Sequence, residues 1–176
     1  PGMARQLREA TLNGIPHIHF NGAGGDIGAG KYNDGAPENR QTLATRLAEA
    51  MASALKATVK HPASDDAFGW KTLPVVLPAA SHLDETRLLA RLGDSAEDPI
   101  DLTYVAKDLT WLRRCQNGEA IDLHCLRLGE ARVLFMPGEL TIPYQLAAQS
   151  MRPETFVAMA AYGDYSPGYI CAKSQY

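Results

Sequence analysis

The sequence predicts an α/β fold: a mixed sheet with flanking helices, in a single domain over residues 1–176. Three observations carry this. Leu43, Leu47, Met51 and Leu55 recur every four residues, the spacing of one helix face. Residues 121–128 instead alternate apolar and polar, the spacing of a half-buried strand, and Gly129-Glu130 turns them into a second apolar run at 131–136, as in a hairpin. A glycine-rich stretch and two further Gly/Pro-rich breaks then follow apolar runs, where α/β folds deliver their working loops.

Taken in order, residues 3–10 form a short helix with Met3 and Leu7 on one face. Residues 16–20 (PHIHF) read as a first strand. Pro37 opens a helix to about Thr58, since proline suits a first turn, and its alanines let it pack close to a sheet. Residues 68–77 are extended, and Pro74 and Pro78 place them at an edge. Ser81 is expected to cap a helix reaching Leu92. Residues 100–115 are helical, with Leu102, Val105, Leu109 and Leu112 in phase and Asn117-Gly118 as the stop. After the hairpin, Pro137-Gly138-Glu139 breaks the chain, residues 142–151 are helical, and residues 156–161 are a buried strand.

Composition narrows the function classes. The hydrophobic content of 45% suits a globular core and argues against disorder. The net charge of −3, with no basic run, argues against nucleic acid as a partner. No apolar stretch approaches the roughly 20 residues that span a bilayer. Cys115, Cys125 and Cys171 are odd in number and lack a CxxC spacing, which favours free thiols over a disulfide framework or a four-cysteine zinc site. The chain opens at Pro1 without an initiator methionine and closes at Tyr176 directly after a loop, so a longer parent protein is expected.

The glycine stretch NGAGGDIGAGK at 21–31 places five glycines within nine residues. It leaves backbone free to approach another group closely. Gly25, Gly30 and Lys31 have P-loop spacing, but Tyr32 stands where Ser or Thr would hold Mg²⁺ and Asn33-Asp34-Gly35 signals a turn in place of a helix start. Nucleotide binding is therefore disfavoured, and phosphate binding by the loop is a third-ranked class. Ile27 stands where a dinucleotide fingerprint needs its last glycine. His17 and His19 share a strand face at i, i+2, a spacing metal sites use, although packed or surface histidines are commoner. Glu139 follows an apolar run across a Pro-Gly break. A carboxylate there serves as a metal ligand, a general base or a favourable charge at a helix N-terminus, and the residues alone favour the last. Tyr162, Tyr165, Tyr169 and Tyr176 crowd the end of the chain, as packing groups or with a hydroxyl aimed into a cleft. If three parallel strands deliver the loops, Asp26, Glu139, Asp164 and Tyr169 face one cleft.

These loops together resemble the neutral/alkaline (non-lysosomal) ceramidase family, bacterial ceramidase-like proteins in particular. The matching segments are Gly25-Asp26-Ile27-Gly28, where the family has Gly-Asp-Val-Ser; MPGELT at 136–141, similar to its Pro-Gly-Glu-Phe-Thr; and AYGDYSPGYI at 161–170, similar to its tyrosine-rich loop. They cover residues 16–57 and 119–176; residues 60–118 are less diagnostic. The resemblance implies part of a larger catalytic domain, its C-terminal part, and a zinc-dependent amidase of sphingolipid metabolism. Glu139 and Tyr169 fall on two of the family's metal ligands. Its two histidine ligands are expected upstream of Pro1, and neither falls on His17 or His19. Gly28 falls on the serine position, so the family's hydroxyl has no counterpart there, and Asp26 or Tyr169 would assist a metal-activated water. The implied substrate is a lipid-like or N-acyl small molecule, and the implied compartment is outside the cytoplasm. The chain alone is expected to hold zinc weakly and to be inactive. The alternative is a non-catalytic ligand-binding domain that keeps the ceramidase-like fold. Substrate identity and oligomeric state stay open.

Overall fold

The computed structural model describes residues 1–28, 30–164 and 167–175. Among them the chain is α/β, with five α-helices and a four-stranded mixed sheet. Helix α1 spans Gly2–Thr11 and packs on α2, Glu38–Ala57. Strand β1 (Phe68–Val75) is followed by α3 (Glu85–Leu92) and α4 (Pro99–Gln116), which pack on each other. The hairpin β2 (Ile121–Leu128) and β3 (Ala131–Pro137) leads through a short β4 (Glu139–Leu140) to α5 (Ile142–Ser150). Strands β5 (Val157–Gly163) and β6 (Tyr169–Ile170) complete the chain.

The main sheet has the order β1-β2-β3-β5. β1 and β2 are antiparallel, as are β2 and β3, whereas β3 and β5 are parallel and joined by the α5 crossover. β1 is an edge strand, as Pro74 within it favours. The core has two centres. Leu88, Val105, Leu109 and Leu112 close the α3–α4 pair. Ala23, Leu140 and Met159 lie under the β3–β5 end of the sheet, with Leu134, Tyr144 and Ile170 packed around them.

Two expected elements differ. Residues 16–20 form no strand. Among the described residues this segment has no strand partner and is held to α1 instead: the His17 N–H donates to Glu9 at 2.9 Å, and Arg5 donates to the His17 carbonyl at 3.2 Å. The helix expected from Ser81 begins at Glu85, because the Asp84 carboxylate accepts the Arg87 N–H at 2.7 Å and fixes the N-terminus there. Asp98 does the same for α4, accepting from Ile100 at 2.7 Å, with Pro99 in the first turn. No helix among the described residues is long and apolar enough to cross a membrane.

Candidate active site

β3 and β5 run side by side in the same direction, so their C-terminal ends open at one edge. The chain leaves β3 through Pro137-Gly138, with Gly138 at φ +65°. That left-handed turn lays Glu139 and Leu140 down as β4, parallel to β6, with Glu139 directly opposite Tyr169. The Glu139 N–H donates to the Gly168 carbonyl at 2.8 Å. Opposed residues on paired strands present their side chains to one face. The fold thus brings together the two residues that the resemblance assigns to a metal, although 30 positions separate them in sequence.

Tyr162 joins them from the end of β5. It is one of two non-glycine residues at positive φ among the described residues, at +60°, a conformation that is uncommon for a bulky side chain. Its N–H donates to the Gly138 carbonyl at 2.8 Å, which holds the turn in place. Its phenol bonds to the Glu139 carboxylate. That hydrogen bond raises the Tyr162 pKa above the ordinary tyrosine value, helped by desolvation and by the charges of Glu139 and Tyr169. Tyr162 and Tyr169 are 52% and 63% exposed, so both remain reachable from solvent.

The glycine loop arrives without a strand. Its anchor is the Asn21 carbonyl, which accepts the Ala161 N–H at 2.8 Å and so extends the β5 edge. Ala23 is buried below, and the Gly25 N–H donates to the Leu140 carbonyl at 2.9 Å. A Cβ at Gly25 would lie 3.2 Å from the carbonyl oxygens of Glu139 and Leu140 and 3.3 Å from Glu139 Cγ. Glycine is needed there because the loop backbone lies against β4. Of the four residues expected to face one cleft, Glu139 and Tyr169 lie opposite each other with the glycine-loop backbone against β4, whereas the Asp26 carboxylate is bonded to the start of α5 and to Gln175; two parallel strands and an irregular segment make this meeting, not three strands. Asp164 sits at the same strand end but lines a neighbouring cavity of about 280 Å³ with Trp70, His124 and Phe135.

Asp26 has both carboxylate oxygens committed. Oδ1 accepts the Ile142 N–H at 2.8 Å, and Oδ2 accepts the Gln175 amide at 2.8 Å. The first is a helix cap supplied from a distance: Thr141, the residue at the cap position of α5, makes no side-chain cap bond. Buried Thr141 instead donates to Gln175 Oε1 at 2.6 Å. The Ile142 N–H above all, against an opposing desolvation cost and with a lesser contribution from Gln175, holds the Asp26 carboxyl below its usual range. A folded-state pKa below the unfolded one stabilises the fold above the unfolded value, and that contribution fades as pH falls through the folded value. Asp26→Ala is accordingly expected to lower Tm at pH 7, and the gap to wild type should narrow at pH 3. Thermal unfolding followed by circular dichroism checks this, and equal Tm values at pH 7 would remove the capping role. Gly28 is exposed, has no positive φ, and an added Cβ would meet nothing within 4 Å.

Several expected features stand apart from this cluster. His17, half-buried, has Nδ1 3.0 Å from the Ile15 carbonyl, and His19, exposed, has Nε2 3.0 Å from Asn21 Oδ1. Residues 30–32 form a single 3-10 turn and α2 begins only at Glu38, so no helix N-terminus follows Lys31 as a P-loop requires. Tyr165 and Tyr176, counted among the clustered tyrosines, and Ala29 and Ser166 within the two loops, lie outside the described residues. The three cysteines are free and half-buried.

Sequence reasoning did not single out Tyr162 from its cluster, and it gave no role to Thr141 or Gln175. The only local signal was Tyr162 preceding Gly163, where a Cβ would fall 2.9 Å from the Met136 carbonyl, so the chain has little freedom at that strand end.

The donor set fits part of a metal site. Glu139 and Tyr169 offer a carboxylate and a phenol side by side, both oxygen ligands that zinc accepts. Among the described residues, no group of three or more His, Cys, Asp or Glu side chains is placed to hold an ion, so further ligands would have to come from other segments. No protein-family model, curated protein or solved structure matches the chain.

Proposed function

We propose that this chain is part of a zinc-dependent hydrolase-like domain, similar to neutral ceramidases, that cleaves the amide bond of a lipid or amphipathic N-acyl substrate. The observation that carries this reading is the Glu139–Tyr169 pair, set in register by β4 and β6 with the glycine loop bonded along the same backbone. Glu139 and Tyr169 would hold the ion with ligands from other segments. Bound zinc supplies a polarised carbonyl and a water acidic enough to ionise near neutral pH. Tyr162 keeps its proton to higher pH than an ordinary tyrosine and orients the Glu139 carboxylate through their hydrogen bond. Asp26 holds the glycine loop to the start of α5, which makes it a positioning residue in this reading. The cavity lined by Trp70, Phe135 and Met136 adjoins Gly163 and offers apolar space to an alkyl portion of the substrate.

One observation favours a second reading, a ligand-binding domain without turnover. Gly28 has no hydroxyl and Asp26 has no free carboxylate oxygen, so the loop brings no unengaged nucleophile or base. The test uses the full product of the gene that encodes this chain, assayed on N-acylsphingosine and simple N-acyl amides, with and without a chelator and with zinc restored. Chelator-sensitive, zinc-restored hydrolysis supports the enzyme. Silence across the panel, with binding of the same compounds retained, supports the binding domain. The open space at Gly28 means that Gly28→Ser should leave Tm unchanged. On the hydrolase reading it should raise turnover, by roughly tenfold or more for a hydroxyl placed to act in the transition state.

A further inference from the structure

A second cavity, of about 580 Å³, opens at the other end of the sheet, between its α5-covered face and the C-terminal end of α5. Its walls come from the start of β1, the end of β2, the starts of β3 and β5, and the segment after α5, so it is remote from Glu139 and Tyr169 at the opposite strand ends. Four cations line it: Lys71, Arg127, Arg132 and Arg152. Among the described residues no carboxylate does. In a chain of net charge −3, such a grouping is a local feature and not a reflection of overall composition.

The register explains the grouping. Arg127 pairs with Gly69 on one side and Arg132 on the other, so the two arginines are neighbours on one face. Gly69 has no side chain, and the Arg127 guanidinium lies across it: a Cβ there would be 3.1 Å from Nε. Arg127 is tied in place by the Phe68 carbonyl at 3.3 Å, and Arg132 by the Gly129 and Ala131 carbonyls at 2.8 and 2.9 Å. Both guanidinium groups are thereby held by neutral carbonyls, and among the described residues neither is in an ion pair. Lys71 is exposed on the neighbouring row, and Arg152 pairs with Glu154 at 3.8 Å on the surface, a weak, solvent-screened contact. Leu134 lines the same cavity from the sheet, Ala148 from α5 and Met151 from just beyond its end. The cavity therefore pairs an apolar wall with a rim of fixed positive charge.

We propose that this cavity binds a single-chain anionic amphiphile, its carboxylate or phosphate head on Arg127 and Arg132 and its alkyl chain against Leu134 and Met151. Planar guanidinium groups suit both head chemistries, and a cavity of this size takes a chain of moderate length.

Isothermal titration with dodecanoate and dodecyl phosphate, below their micellar concentrations, tests this, with dodecanol and inorganic phosphate as the tail-only and head-only probes. One-to-one binding of either anion, at least tenfold tighter than both partial probes, is expected. Which anion binds more tightly identifies the head. Arg127→Gln should weaken binding roughly tenfold or more, as loss of a charge-assisted hydrogen bond does. The surface double variant Lys71→Gln/Arg152→Gln, which touches no buried group, should weaken it less. Equal binding of dodecanol, equal binding of inorganic phosphate, no binding of either anion, or full affinity in both variants would each overturn the proposal.

Discussion

Gly138→Ala is expected to destabilise the chain by about 3 kcal/mol, the sum of a left-handed backbone penalty and a steric clash with neighbouring backbone. At φ +65° an alanine Cβ would sit 2.5 Å from the Gly168 carbonyl oxygen and 2.9 Å from Pro167 Cγ. The carbonyl is the acceptor for the Glu139 N–H, so relieving the clash means separating β4 from β6. Gly129 provides the control. It has a similar φ of +57°, but a Cβ there would meet nothing within 4 Å, so Gly129→Ala should cost only the backbone part, about 1 kcal/mol. Urea unfolding of the two variants measures the difference. Equal losses would mean that the β4–β6 pairing tolerates displacement and that the Glu139–Tyr169 register is not enforced by this turn.

Glu139→Gln has the second large effect. On the proposed chemistry it removes a metal ligand while keeping side-chain size, and turnover by the full gene product should fall further than the roughly 10–100-fold seen when a partner of a ligand is lost. The same variant has a readout that needs no substrate. The Tyr162 phenol titrates high because it bonds to a carboxylate, and because desolvation and the negative charge act the same way. A neutral amide weakens the first cause and abolishes the charge, so the Tyr162 titration should move down toward the ordinary tyrosine value in ultraviolet absorbance. A raised folded-state pKa contributes stability that is present below the unfolded tyrosine value and is lost as pH rises through the folded one. Wild type should therefore lose more stability on going alkaline than Glu139→Gln does. An unmoved phenol titration would mean that the Tyr162–Glu139 bond does not persist in solution.

Local pattern revealed the elements whose cause is local. The i, i+4 leucines of α2, the alternation of β2 and the Gly129-Glu130 turn each carry their own signal, and each element lies within a few residues of its expected bounds. The failures have a common origin. Residues 16–20 alternate like a strand, but a strand exists only where a neighbour accepts its hydrogen bonds, and here α1 supplies the partners. Ser81 is a good capping residue, yet Asp84 three positions on has the carboxylate that bonds Arg87. The candidate site was legible as three loops and as two residues, Glu139 and Tyr169, which the fold sets opposite each other. Its wiring was not. The cap of α5 comes from Asp26, and Thr141, nominally at the cap position, turns to Gln175 instead. Nothing in the spacing of these residues links them, because the bonds depend on where two parallel strand ends meet.

The bond between Asp26 and Gln175 joins residues 149 positions apart. The pairs α1–α2, α3–α4 and β2–β3 close over short stretches of chain and so form early. The loop at 21–28 and the segment after β6 can meet only when the parallel β3–β5 pairing already exists, because loop closure between distant segments is entropically costly until other contacts reward it. The region around Glu139 is thus expected to assemble late on folding and to open early on unfolding. Hydrogen exchange should find Ile142, whose N–H depends on Asp26, exchanging sooner than the hairpin amides of β2 and β3.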